Sequence, residues 1–303
     1  MAVKPLLNDT SNTKKTGSSV KKNSINQNKK LNCSPKKNPL EFTCYTESSL
    51  HVLKKLWNAR HPDLQIKTND NRVIWQTLKK YLRNTCKQER CWLNQNFTKG
   101  KLNKELLQYT FAPDSPESWK KEPNTWLNSL DIDNVMKQYE NIYPRFEFIG
   151  PSPIDFDKRQ EYGECVWGEL CHFNIKKKIK DDVDKIGIVF NTDPHDEPGE
   201  HWVAVFIDIK KKFIFYFNST GEKVIKEIKV FIDRVIKQAK ESNIDMKFIE
   251  NHPKEHQKGE SECGMYVLYM IIELLQGKKT PEYFQKNTVS DIEMEKLRKV
   301  YFN

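Results

Sequence analysis

The stretch QKGESECGMYVLYMIIELL (257–275) passes from a polar run through a single cysteine, Cys263, into an apolar helical pattern. A thiol attacks only as its thiolate, and a helix N-terminus or a neighbouring imidazole favours that form. Cys263 has the first of these by position. Gly259 loosens the approach, Ser261 or Glu262 is placed to cap, and the helical period begins at the cysteine. Gly264 leaves the backbone beside the sulfur open to an approaching substrate. The local sequence is equally compatible with an inert, buried cysteine that starts a helix.

The rest of the chain decides between these readings. His201 opens the strand-like segment HWVAVFID (201–208), where a strand tip can present a rigid imidazole. A short polar link, Ile209 to Lys211, leads into KFIFYFN (212–218), so an antiparallel hairpin returns Asn218 to the side of His201. A side-chain amide there can hold the ring nitrogen that faces away from the sulfur. Gln257, six residues before Cys263, can supply an amide donor to an oxyanion, and the Cys263 N–H a second. Singly, each residue has an ordinary reading: a strand-end histidine in solvent, a surface glutamine. Jointly they carry the parts of an acyl-transfer site in Cys263, His201, Asn218 and Gln257.

These side chains need a scaffold, and the pattern of the chain predicts an α+β domain. Strands are expected at 146–149, 186–191, 201–208, 212–218 and 245–251, with both faces of the HWVAVFI strand apolar and therefore buried. Helices are expected at 126–143 (capped by Ser129 or Asp131), at 166–175, at about 222–241 and after Cys263. Ahead of them, residues 41–125 read as a helical region. One helix carries Leu50, Leu53, Leu56 and Trp57, capped by Ser48 or Ser49 and stopped at His61-Pro62, and a second spans 71–84. Residues 126–303 form the third segment, the candidate catalytic domain.

Residues 1–40 differ in kind. They hold nine Lys against one Asp, net +8, of the formal +10 of the whole chain. With almost no large apolar residues, this basic tail is expected to be disordered, either as a solvated extension or as a nucleic-acid or nuclear-targeting arm. The N-terminal sequence has no apolar secretory core, and the run Met265 to Ile272 is too short to span a bilayer, so no membrane partner is expected. Seven cysteines at irregular spacings (33, 44, 86, 91, 165, 171 and 263) read as reduced thiols. Cys86 and Cys91, or Cys165, Cys171 and His172, lack the close pairing of a zinc site, and neither a metal nor a cofactor is expected.

The set His201-Trp202, Asn218 seventeen positions on, and Gln257 and Cys263 within QKGESECG resembles the adenovirus-protease and SUMO-protease (ubiquitin-like protease) family of cysteine peptidases. The nearest likeness is to the proteases of large cytoplasmic DNA viruses, which the HWVAVFID, FNST and QKGESECG segments parallel in order. It covers roughly residues 145–303, with a weaker match at WLNSLDI (126–132). The resemblance implies a central mixed or antiparallel sheet flanked by helices, with the reactive cysteine at a buried helix N-terminus. It implies catalytic roles for Cys263, His201, Asn218 and Gln257, a lid role for Trp202 over a narrow groove, and a substrate-facing Trp126. Cellular members carry Asp where this chain has Asn218. Asparagine agrees with the viral likeness.

By the same resemblance, the expected activity is an endopeptidase that cuts viral structural polyproteins at Gly-Gly or Gly-Ala-like sites during virion maturation, in the host cytoplasm and the virion. The rivals are a deconjugating isopeptidase for a ubiquitin-like modifier, an acetyltransferase using coenzyme A, and a virion nucleic-acid-binding protein with a secondary peptidase site.

Overall fold

The computed structural model describes residues 31–303. Five strands form one mixed sheet: β1 (Phe146–Ser152), β2 (Lys185–Asn191), β3 (Trp202–Asp208), β4 (Phe213–Phe217) and β5 (Lys247–Glu250), side by side in chain order. The inner pairs β2–β3 and β3–β4 are antiparallel, and the outer pairs β1–β2 and β4–β5 are parallel. The central strand β3 is buried along its whole length, as its unbroken apolar sequence requires.

Side chains alternate across the sheet and serve two cores. Val203, Val205, Ile207, Ile214 and Tyr216 face a cluster with Phe231, Ile232 and Val235 of helix α7 (Lys226–Lys240). Trp202, Ala204, Phe206, Phe215 and Phe217 face the opposite cluster, built on helices α4 (Ser129–Ile142), α8 (Cys263–Leu275) and α10 (Asp291–Tyr301). Each large apolar side chain taken fully out of water contributes about 1.5–3 kcal/mol. Helix α8 is apolar almost all round, so it lies between the sheet and its neighbours with Glu273 its sole partly exposed residue.

A third core draws only on residues 31–111, with Leu50, Leu53 and Trp57 of α1 (Glu47–Arg60) against Ile74, Leu78 and Leu82 of α2 (Asn71–Leu82). Four short helices complete the chain: α3 (Lys104–Gln108) ahead of the sheet, α5 (Gly168–Cys171) and α6 (Ile175–Lys180) between β1 and β2, and α9 (Pro281–Lys286) between α8 and α10. No helix among the described residues is long and apolar enough to cross a membrane.

Several expectations change in detail. Thr46, and not Ser48 or Ser49, caps α1, its hydroxyl taking the Ser49 N–H. Asn128 caps α4 in a reciprocal box with Asp131. The expected helix over 166–175 is the single turn α5, because Asn174 accepts from the Lys177 N–H and starts α6 anew. Of the basic tail, residues 1–30 lie outside the described residues. Residues 31–40, expected to belong to it, instead pack: Asn32 bonds Asn303 and the Phe302 carbonyl, and Leu31 and Leu40 reach the third core.

The reduced-thiol expectation is corrected. Cys33–Cys44, Cys86–Cys91 and Cys165–Cys171 are disulfides, and Cys263 is the free cysteine among the described residues. The odd total concealed three short-range pairs and one free thiol; each pair is separated by at most 11 residues and closes within its own loop.

Candidate active site

Helix α8 begins at Cys263, whose side chain is 1% exposed. Neither Ser261 nor Glu262 caps it, contrary to expectation; no side chain bonds the first-turn amides. The reason is that Glu262 is turned away, its carboxylate held by the Arg298 guanidinium at 2.8 and 3.1 Å. The unpaired amides are thereby left at the position where the helix dipole favours negative charge. Burial pushes the Cys263 thiol up, the Trp202, Gly264 and Cys263 amides pull it back down, and the Glu262 charge raises it further.

The Trp202 amide that reaches the thiol belongs to the residue after His201, which places the imidazole at the same end of β3. In the ladder Ala204 stands opposite Phe217. His201 therefore lies just before β3 and Asn218 just after β4, at one end of the hairpin. His201 Nε2 sits 2.8 Å from Asn218 Oδ1. The same oxygen accepts the Thr220 backbone N–H at 3.1 Å and the Thr220 hydroxyl at 2.8 Å. A backbone N–H can only donate, so this amide atom is the oxygen and His201 Nε2 carries the hydrogen. His201 Nδ1 is then left with its lone pair. Burial lowers the His201 pKa, while the Asn218 bond and the charge of Glu222 raise it in part. At neutral pH the resting imidazole is uncharged and able to take a proton.

Asn218 is itself fixed. Its backbone N–H donates to Asn251 Oδ1 at 2.9 Å, and Asn251 Nδ2 donates back to the Asn218 carbonyl at 2.8 Å. Next to it, the Ser219 hydroxyl donates to Gln257 Oε1 at 2.7 Å, and the Ser219 carbonyl accepts the Gln257 N–H. Gln257 Nε2 donates to the Gly259 carbonyl at 2.7 Å, leaving a second hydrogen unassigned. A carbonyl can only accept, so the Gly259 bond sets the orientation of the amide, and the Ser219 hydroxyl, able to donate, fits it. Gly221, at φ +77°, closes the turn; a Cβ there would meet the Glu255 backbone nitrogen at 2.8 Å, so glycine lets the 218–221 turn lie against the loop that leads to Gln257.

Three further residues were expected to line a groove. Trp202 is nearly buried, and its indole N–H donates to the Leu127 carbonyl at 2.9 Å. Trp126, directly before Leu127, is 44% exposed. Gly264 serves a different purpose from the open approach expected of it: a Cβ there would stand 2.9 Å from Leu127 Cβ, so the missing side chain admits Leu127 against α8. The residues that sequence reasoning did not find are Asn251, Ser219 and Arg298, and Glu262 was read as a cap and not as the partner of Arg298. Nothing in their local spacing marks them, because each acts through a partner 33 to 38 positions away.

Among known proteins, the chain is 32% identical over 203 residues to a candidate thiol protease of Acanthamoeba polyphaga mimivirus, covering 67% of this chain and 64% of that protein. It is 27% identical over 180 residues to a cysteine protease of African swine fever virus, covering 57% of this chain and 66% of that one. Both matches thus span slightly less than two thirds of the relative. The crystal structure of the African swine fever virus protease shares the fold, with a TM-score of 0.62 at 20% identity over 90% of this chain and 95% of that chain. Residues 137–302, more than half of the chain and the part that holds every element of the hairpin-and-helix site, match the Ulp1 protease family, C-terminal catalytic domain, and the chain belongs to that family.

Proposed function

We propose that this protein is a cysteine endopeptidase in which Cys263 is the nucleophile, His201 the general base and acid, Asn218 the orienter of His201, and Gln257 an oxyanion donor. One observation carries this reading: the Asn218 oxygen, defined by the Thr220 N–H, holds the hydrogen on His201 Nε2 and so leaves Nδ1 basic.

Nδ1 takes the Cys263 proton as the sulfur attacks the scissile carbonyl. Negative charge develops on the carbonyl oxygen, where the free N–H of Gln257 Nε2 and the uncapped amides of α8 can donate to it. The imidazolium passes its proton to the leaving amine, and the sulfur keeps the acyl group as a thioester. Water then attacks the thioester, giving a proton to His201; the sulfur leaves the carboxylic product and takes that proton back, which restores the thiol and the uncharged imidazole. Asn218 has no charge to stabilise the imidazolium, so its contribution is the tautomer and the ring angle. Trp126 and Trp202, flanking Leu127, border the groove for the substrate chain.

The substrate class best supported is a viral structural polyprotein cut after small residues, at Gly-Gly or Gly-Ala-like sites, because a thiol this deeply buried admits only a slender chain. The basic residues ahead of the described ones are suited to nucleic acid in the same particle. Both the host cytoplasm and the virion fit this role, and the three disulfides favour the particle. The test is cleavage-site mapping of candidate viral core polyproteins with the purified protein and Cys263→Ala as control. Cleavage by the alanine variant would sink the scheme. Labelling of Cys263 by a ubiquitin or SUMO electrophilic probe, without polyprotein cleavage, would replace the substrate class with a ubiquitin-like conjugate.

A further inference from the structure

Arg298, on the third turn of α10, is 4% exposed and makes bonds in three directions. Its Nε donates to both oxygens of Glu262, itself 2% exposed. Its Nη2 donates to the Ser261 carbonyl at 3.2 Å, and its Nη1 to the Thr125 carbonyl at 2.8 Å. The guanidinium carbon lies 4.5 Å from the centre of the Trp119 ring. A buried ion pair rarely outdoes apolar packing of the same volume, so stability alone does not call for this one. Its partners have another feature in common. Ser261 and Glu262 are the two residues before Cys263, and Thr125 is the residue before Trp126.

We propose that Arg298 is a positioning residue for the reaction: its planar fork ties the backbone entering the nucleophile helix to the wall that carries Trp126 and Leu127, and its charge compensates Glu262 beside the thiol. The proposal rests on the reading of Cys263 as the nucleophile. Helix α10 grips the same loop at its other end, where Asp291 accepts the Lys258 and Gly259 N–H groups and the Tyr266 hydroxyl. The loop between Gln257 and Cys263 is thus held at both ends by one helix.

The charges around the thiol are few. Glu262 adjoins it on its own helix, and Arg298 faces Glu262 from α10. His201 approaches from the β3–β4 hairpin with Glu222 behind it, and Asp291 is occupied by the loop and Tyr266. The α4 side presents the apolar Leu127. Removing the arginine charge therefore leaves one uncompensated carboxylate next to Cys263, which disfavours the thiolate. A lysine keeps the charge but cannot span a carboxylate and two carbonyls with one planar group.

Two readouts separate these parts: the pH dependence of Cys263 alkylation by iodoacetamide, read by peptide mass mapping, and kcat/KM on a cleaved peptide. Arg298→Met is expected to move the alkylation midpoint up by about one pH unit and to lower kcat/KM by about a hundredfold. In the double variant Glu262→Gln/Arg298→Met the midpoint returns to the wild-type value while kcat/KM stays depressed. Arg298→Lys keeps the midpoint and loses about tenfold in kcat/KM through misplacement.

An unchanged midpoint in folded Arg298→Met overturns the charge role, and wild-type kcat/KM in Arg298→Lys overturns the positioning role. Should Arg298→Met fail to fold, the lysine variant and Glu262→Gln decide: a lowered midpoint in Glu262→Gln supports the charge role, and an unchanged one refutes it. Cys263→Ala, assayed in parallel, stands apart. Activity surviving there refutes the nucleophile assignment whatever the arginine variants do.

Discussion

The β3–β4 hairpin has two ends that spend their polar residues in opposite ways. At the turn, Asp208 is 2% exposed, yet it is satisfied locally by the Lys211 N–H at 2.8 Å. Beside it Asp184 sits among surface charges, Arg145 and Lys210, which hold its carboxyl below the usual range against the opposing effect of its partial burial. The Asp208 bond folds a turn and goes no further, while the Asp184 pairs tie that end of the sheet to surface charges and reach no reactive atom. At the open end, the buried polar groups are uncharged amides and a hydroxyl, Asn218, Ser219, Asn251 and Gln257, and each bonds a residue brought from elsewhere in the chain. Asp208 therefore offers nothing to His201, although a carboxylate would be the more familiar partner of an imidazole. A buried polar group tells of function when its bonds converge on a reactive atom, and of folding when they close on their own loop.

That contrast can be broken most severely at the thiol. Cys263→Ala should abolish turnover, a loss of about 10⁴-fold or more, while its melting temperature stays close to wild type. Residual activity well above that in a protease assay would return Cys263 to the core. Asn218→Ala comes next, with an expected loss of about ten- to hundredfold in kcat/KM. Asn218→Asp should retain more activity and move the acid limb of the pH profile upward, because the added charge favours the imidazolium. A profile that does not move would mean that Asn218 is not the partner of His201.

Smaller is the effect expected of pH on the wild-type protein. Burial depresses His201, and it depresses His256 to about 4. Both histidines take up protons more readily in the unfolded chain than in the folded one, so stability present above the ordinary histidine pKa of 6.5 should fall as pH drops through 6 toward 4. Denaturant melts between pH 7 and 4 measure this, and a flat profile would contradict the burial of both rings. For kcat/KM the acid limb should lie below 6.5, since the base form of His201 persists to lower pH than in a free histidine. At the turn end, Asp208→Asn should leave kcat/KM unchanged and cost about 1 kcal/mol or less. A loss of activity there would erase the distinction between the two ends.

Much of the site was legible because it depends on local patterns. His201 and Asn218 were placed by two apolar strands joined through a three-residue link, and Cys263 by the point at which polar sequence turns into an apolar helix. The same logic erred where local chemistry offers a choice. Ser261 and Glu262 are good caps by residue type, but the cap was forgone when Glu262 found Arg298. Gly264 suggested open space by its lack of a side chain, and Leu127 occupies it. The cysteines suggested free thiols by their odd number, and three pairs close within their loops.

By itself, then, the sequence determined which residues could react and on which elements they stand, because period and turn chemistry act over a few positions. Tertiary structure decided how those residues are held. The Asn251 clamp spans 33 positions, the Glu262–Arg298 pair 36 and the Arg298–Thr125 bond 173. No local pattern encodes such pairs. Their geometry exists only once β4, β5, α8 and α10 have packed, and burial then makes these polar groups costly to leave without each other.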